Sequence, residues 1–146
     1  SGTTLVTWLQ STSFYTWLSA SSADETLFFT RSGANDPDFN LRSETSLVLR
    51  REAKDSLFAS VVETHGLFDE STETCLGATG QFHTVNVVGF SDEATVVEVA
   101  GDGVALTVMV SNQADVTEET ETAVGFGGRA YSWNGYFEVE VNPDLS

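Results

Sequence analysis

Apolar side chains recur at every second position along most of this chain. Leu27, Phe29 and Arg31 share one side of an alternating stretch, Leu47, Leu49 and Arg51 one side of another, and Leu106, Val108 and Val110 one side of a third. A period of two sends successive side chains to opposite faces of an extended backbone, so these stretches predict β-strands. The same reading fits residues 4–10, 13–20, 56–64, 81–90, 94–100, 129–133 and 136–141, where β-branched and aromatic residues are bounded by Gly, Asp, Asn or Ser. Gly101-Asp102-Gly103 separates two of the strands by a turn-sized gap and predicts a hairpin. About ten strands result. No stretch carries apolar residues at i, i+3, i+4 and i+7 between caps, so any helix is expected to be one short turn.

Many short strands joined by turns close as a barrel or stack as two sheets. The several strands with aromatic residues on both sides favour the stack, an all-β antiparallel β-sandwich of the jelly-roll kind. A chain of 146 residues can bury one core without disulfides or metal, and residues 1–146 are expected to form a single domain. It opens Ser1-Gly2-Thr3 and enters the alternating pattern at once, as an excised or processed piece of a larger protein would. The acidic run from Asp115 to Thr122 reads as a solvated loop or exposed edge strand. Cys75 is alone, closes no internal disulfide, and is expected as a small half-buried side chain.

Charge narrows the partners. Twenty-two acidic residues against six basic ones give a net charge of -16 and a pI near 4.1, which repels nucleic-acid backbones and anionic membranes. No window approaches the roughly 20 apolar residues that a membrane span requires. Such a surface suits a secreted or periplasmic protein of a salty, marine setting, where screening limits self-repulsion. Against this background the run from Arg31 to Arg42 holds two of the six basic residues around a stiff turn: Gly33 permits a bend, Asn35-Asp36-Pro37 starts a turn, and Asn40 can bond neighbouring amides. Planar guanidinium groups grip carboxylates with two parallel bonds, so Arg31, Asn35, Asp36, Asn40 and Arg42 are candidate ligand contacts. The competing reading is that the arginines pin a loop by pairing with the protein's own acids. Arg50-Arg51-Glu52-Ala53-Lys54 holds three more basic residues, and alternation allows only one of its arginines on a ligand's face; Arg51 is the candidate. Arg129, Trp133 and Tyr136 combine a cation with rings that could stack on sugars, although Tyr and Trp in strands more often fill a sandwich core. Trp8 and Trp17, among apolar neighbours, read as core or interface.

No cofactor is expected. Asn35, Asp36, Asp38 and Asn40 space oxygens as calcium loops do, but the glycine and closing acid of the EF-hand pattern are missing. The two histidines offer little catalysis: His65 ends a strand before Gly66, and His83 alternates with Val85 and Val87, which predicts a packed face. No nucleophile triad, zinc helix or phosphate loop is present, so no catalytic residue is assigned.

The run Arg31-x-Gly33-Ala34-Asn35-Asp36-Pro37-x-Phe39-Asn40-Leu41-Arg42, with Phe58-Ala59-Ser60-Val61, Glu63, His65-Gly66 and Tyr131-x-Trp133-x-Gly135, resembles the C-terminal region of family 17 polysaccharide lyases, oligoalginate lyases of the heparinase II/III-like group. The resemblance covers roughly Trp8 to Val141. It implies an α-helical toroid upstream, antiparallel β-layers here, and a parent enzyme that cleaves alginate oligomers by β-elimination with Asn, His and Tyr residues that lie upstream. The expected role is a non-catalytic module binding alginate or another uronic acid polysaccharide. The alternatives are a structural or dimerisation domain bracing the upstream catalytic domain, and a truncated lyase. Bracing would leave Trp8, Trp17 and their apolar neighbours as an exposed patch.

Overall fold

Alternation becomes pairing along most of the chain. Thr3–Gln10 (β1) and Ser13–Ala20 (β2) form a hairpin in which Thr3 faces Ala20 and Gln10 faces Ser13, and Ser60–His65 (β5) adds to the other edge of β2. Phe82–Phe90 (β8), Ala94–Gly101 (β9), Val104–Ser111 (β10) and Phe137–Val141 (β13) make a four-stranded sheet in the order β13-β10-β9-β8. Glu25–Gly33 (β3) pairs with Ser43–Arg51 (β4), Leu67–Asp69 (β6) with Thr74–Leu76 (β7), and Glu121–Phe126 (β11) with Arg129–Asn134 (β12), every pairing antiparallel. The structure, a computed structural model, describes residues 2–33 and 43–142, and they contain these thirteen strands and no helix. They group into two compact units, one from Ser1–Ser21 with Leu57–Ser146 and one from Ser22–Ser56.

The larger unit is layered because its central sheet is apolar on both faces. On β9, Val97 and Val99 point to one side and Ala94 and Val96 to the other; on β10, Leu106 joins the first group and Met109 the second. The first face packs on the β1-β2-β5 sheet through Leu18, Ala20, Ala59, Val85 and Val99. Leu18 is 0% exposed, and burying such a side chain contributes about 1.5–3 kcal/mol. The second face packs on the β11–β12 hairpin through Val96, Met109, Val124, Phe126, Tyr131 and Trp133. That hairpin turns on Gly127 and Gly128, both at positive φ (58° and 81°), the conformation a two-residue turn needs to match strand twist. It comes so close to β8 that a Cβ on Gly89 would overlap the Phe126 ring.

The expected all-β antiparallel architecture holds, and within the larger unit the sheets stack face to face. Three strands lie beyond the alternating stretches. β6 and β7 have three residues each, too few to show a period, and β11 is obscured by the acidic run before it and by Gly125 within it. That run is a loop to Thr120, but not a wholly solvated one: Val116 is buried and Thr122 at its end is 2% exposed. Cys75 is exposed rather than half-buried, since β7 pairs only with β6 at the surface. His83 also departs from expectation. A register shift between Phe82 and Thr84 makes it the extra residue of a bulge, so it turns outward while Val85 and Val87 face the layer.

Candidate functional site

Register decides which basic residues of the β3–β4 unit are available. Glu25 stands opposite Arg51, and Thr26 opposite Arg50. Arg51 therefore shares a face with Glu25, Leu27, Phe29, Arg31, Leu47 and Leu49, while Arg50 shares the other with Thr26, Phe28, Thr30, Ser46 and Val48. Arg51 donates from Nε and Nη2 to Glu25 Oε2, each at 2.8 Å, and from Nη1 to Ser56 Oγ at 3.4 Å. With the two side chains only 8% and 7% exposed, this ion pair clamps the open end of the hairpin. Arg51 is thus engaged within the protein, and Arg50 is the exposed arginine of the pair. Strand parity relative to Glu25 was the sequence signal that separates them.

The Arg50 face is exposed along its length and mixes an aromatic ring, aliphatic carbon, hydroxyls and a cation: Phe28, Val48, Thr26, Thr30, Ser46 and Arg50. Arg31, also exposed, lies on the opposite face near the far end of β3. Lys54 is exposed beyond β4. Asn35, Asp36, Asn40 and Arg42 lie outside the described residues. Ser22–Ser56 holds Arg31, Arg42, Arg50, Arg51 and Lys54 against seven acids, a net charge of -2; the rest of the chain holds Arg129 against fifteen acids, a net charge of -14. Five of the six cations are thus in about a quarter of the sequence.

The remaining candidates fall in the larger unit. Arg129 lies on the inward face of β12 and donates to Glu98 Oε1 at 3.1 Å. It lines an open groove of about 590 Å³ together with Thr107, Met109, Tyr131, Glu140 and Asn142. The buried Tyr131 hydroxyl makes no hydrogen bond within the protein. The charged residues lining the groove, Arg129 and Glu140, cancel, and Arg129 is already paired with Glu98, which leaves the groove no net attraction for an anion. Trp133 is 3% exposed in the core beneath, with no ring face open for stacking, whereas Tyr136 is 58% exposed. Trp8 is 39% exposed and stacks on Tyr15 with ring centroids 5.6 Å apart; Leu5, Leu9 and Val62 of the same sheet are also exposed.

His65 is tied into the β1-β2-β5 sheet. Its Nδ1 faces the Gly77 carbonyl at 2.9 Å, which can only accept, so Nδ1 carries a proton; Nε2 shares a hydrogen bond with Thr16 Oγ1 at 2.8 Å, and Thr16 in turn bonds Thr7. Beside it, Glu63 accepts from the Gln81 and Phe82 amides at 2.7 and 3.1 Å. His83 pairs with Asp102 at 3.0 Å. Among the described residues no group of three His, Cys, Asp or Glu side chains is placed to hold a metal ion, and no helix is long and apolar enough to cross a membrane.

No family model matches the chain. Two known proteins do. It is 34% identical over 129 residues, 88% of its length, to an alginate lyase of Stenotrophomonas maltophilia (strain K279a), and 34% identical over 139 residues, 92% of its length, to an exo-oligoalginate lyase of Saccharophagus degradans (strain 2-40). The chain spans only 17% and 19% of those proteins. Along about nine-tenths of its length, then, this chain is homologous to one stretch of much longer proteins named as alginate lyases.

Proposed function

We propose that the chain is a non-catalytic, uronate-binding region of a secreted or periplasmic alginate lyase of the family 17, heparinase II/III-like kind, and that the β3–β4 unit is its contact with the polymer. The observation that carries this reading is the segregation of positive charge. A polymer with one carboxylate per sugar is repelled by a body of net charge -14, and can approach where Arg31, Arg50 and Lys54 stand exposed on a unit of net charge -2. The Arg50 face adds what a sugar needs besides charge: Phe28 for the apolar face of a ring, and Thr26, Thr30 and Ser46 for its hydroxyls. The relatives' names supply the polymer class. Chemistry is left to the rest of the polypeptide, since His65 has both ring nitrogens engaged and His83 is paired with Asp102.

Titration calorimetry with polymannuronate, polyguluronate and a neutral glucan, each at low and high salt, tests the proposal. It predicts binding to the uronates that weakens as salt rises, and none to the glucan. Failure to bind either uronate, or equal affinity for the glucan, contradicts it.

A further inference from the structure

The β3–β4 hairpin carries the same pair of side chains twice, once on each face. Thr26 stands opposite Arg50 and Phe28 opposite Val48, so Phe28 and Arg50 share a face as diagonal neighbours, roughly 7–8 Å apart. Phe29 and Arg31 are two residues apart on β3 and share the other face at roughly 7 Å. Phe28 is 42% exposed and Phe29 64%, and both arginines are exposed. Hydroxyls flank each pair: Thr26, Thr30 and Ser46 on the first face, Thr45 on the second. An aromatic ring beside a guanidinium at this spacing suits one uronic acid residue, whose ring carbons stack while its carboxylate is gripped. The two pairs cannot serve the same sugar. Arg31 lies opposite Thr45, five residues along β4 from Arg50, which puts the two cations roughly 17 Å apart along the hairpin as well as on opposite sides of it. That exceeds the Debye length of about 8 Å at physiological salt, so a carboxylate held by one arginine is screened from the other. Arg51 shares a face with Arg31 but is neutralised by Glu25, which leaves Arg31 as the exposed arginine of that face among the described residues.

We infer that the hairpin is a two-sided blade with two separate uronate subsites, Phe28 with Arg50 and Phe29 with Arg31, and that it bridges two alginate chains. The inference rests on the reading of this unit as the contact with the polymer, and adds to it how many chains are held at once. A short oligomer that fills one face leaves the other open, because reaching the second arginine would take it around the edge of the ribbon. On long polymer, two subsites on one hairpin join chains that a single subsite would only decorate.

Calorimetry and side-chain NMR of the chain titrated with a uronate trimer, with light scattering on long alginate, test this. Two trimers are expected to bind each protein chain, with shifts at both the Phe28 and the Phe29 rings. Arg50→Ala is expected to halve the stoichiometry and silence Phe28 while Phe29 still responds, and Arg31→Ala to do the reverse. The surviving face shows in each case that the hairpin is folded, and Arg50→Gln and Arg31→Gln keep most of the side chain should alanine loosen it. Long alginate is expected to scatter more light with the unaltered chain and to lose that gain with either variant. One trimer per chain, a folded variant that silences both rings, or one that silences neither overturns the two-sided inference and leaves the uronate reading standing. Absence of any uronate binding overturns that reading itself.

Discussion

In the layered unit Leu18, Val96 and Val85 are buried to 0–1% exposure; in the β3–β4 unit no described large apolar side chain is buried, while the charged side chains of Arg51 and Glu25 are only 8% and 7% exposed. The first unit is specified by volume, with an apolar sheet face on either side of Val96 and Val97 filled from above and below. The second is specified by register and charge. A two-stranded hairpin is marginal in water unless something fixes it, and here a two-donor clamp closes its base while Arg31, Arg50 and Lys54 remain at the surface. On the proposed function, this difference is how one chain of net charge -16 would approach a polyanion: the packed core lies in the unit that carries -14, and the proposed contact in the unit that carries -2.

The contrast can be broken by showing that either unit responds to the other's perturbation. Leu18→Ala is expected to cost about 2–5 kcal/mol in denaturant unfolding, the range for truncating a buried leucine, with alginate affinity unchanged within about twofold. Glu25→Ala leaves the Arg51 guanidinium shielded without its carboxylate and is expected to cost about 1–3 kcal/mol, read as faster amide exchange across β3 and β4 with the layered unit's midpoint unmoved. Arg31→Ala with Arg50→Ala is expected to lower alginate affinity at least tenfold, about 1.4 kcal/mol, at unchanged melting temperature, whereas Arg129→Ala lowers it by less than about threefold. The smallest effect concerns Asp69, whose carboxyl is held below its ordinary 3.8 chiefly by the Ser71 hydroxyl and then by the Ser71 amide. Because the folded value is the lower one, this contribution is present above pH 3.8 and lost as pH falls through the folded value. Asp69→Asn should therefore lower the melting temperature slightly at pH 7, and the gap should close in strong acid.

Period-two alternation made most strands legible, because a sheet with one face toward solvent forces that pattern, although the central sheet of the larger unit is apolar on both faces. It failed where the chain leaves the pattern: in three-residue strands, at the bulge that turns His83 outward, and at β11, where polar Thr122 is buried against the layer. The proposed site is legible in the sequence as a neighbourhood rather than as residues. Scarce positive charge marked residues 31–54, but choosing between Arg50 and Arg51 needs the register that sets Glu25 opposite Arg51. Trp133 could have filled a core or met a sugar, and only the packing of β12 on Met109 and Val96 places it in the core.

The most direct test of where the polymer lands is an amide and side-chain NMR map of the chain titrated with an alginate oligomer. Perturbations concentrated in Ser22–Ser56, largest at Thr26–Arg31 and Ser46–Arg50 and fading as salt rises, are the predicted result. Perturbations centred on Arg129 and Tyr131, or none at all at saturating oligomer, contradict the account.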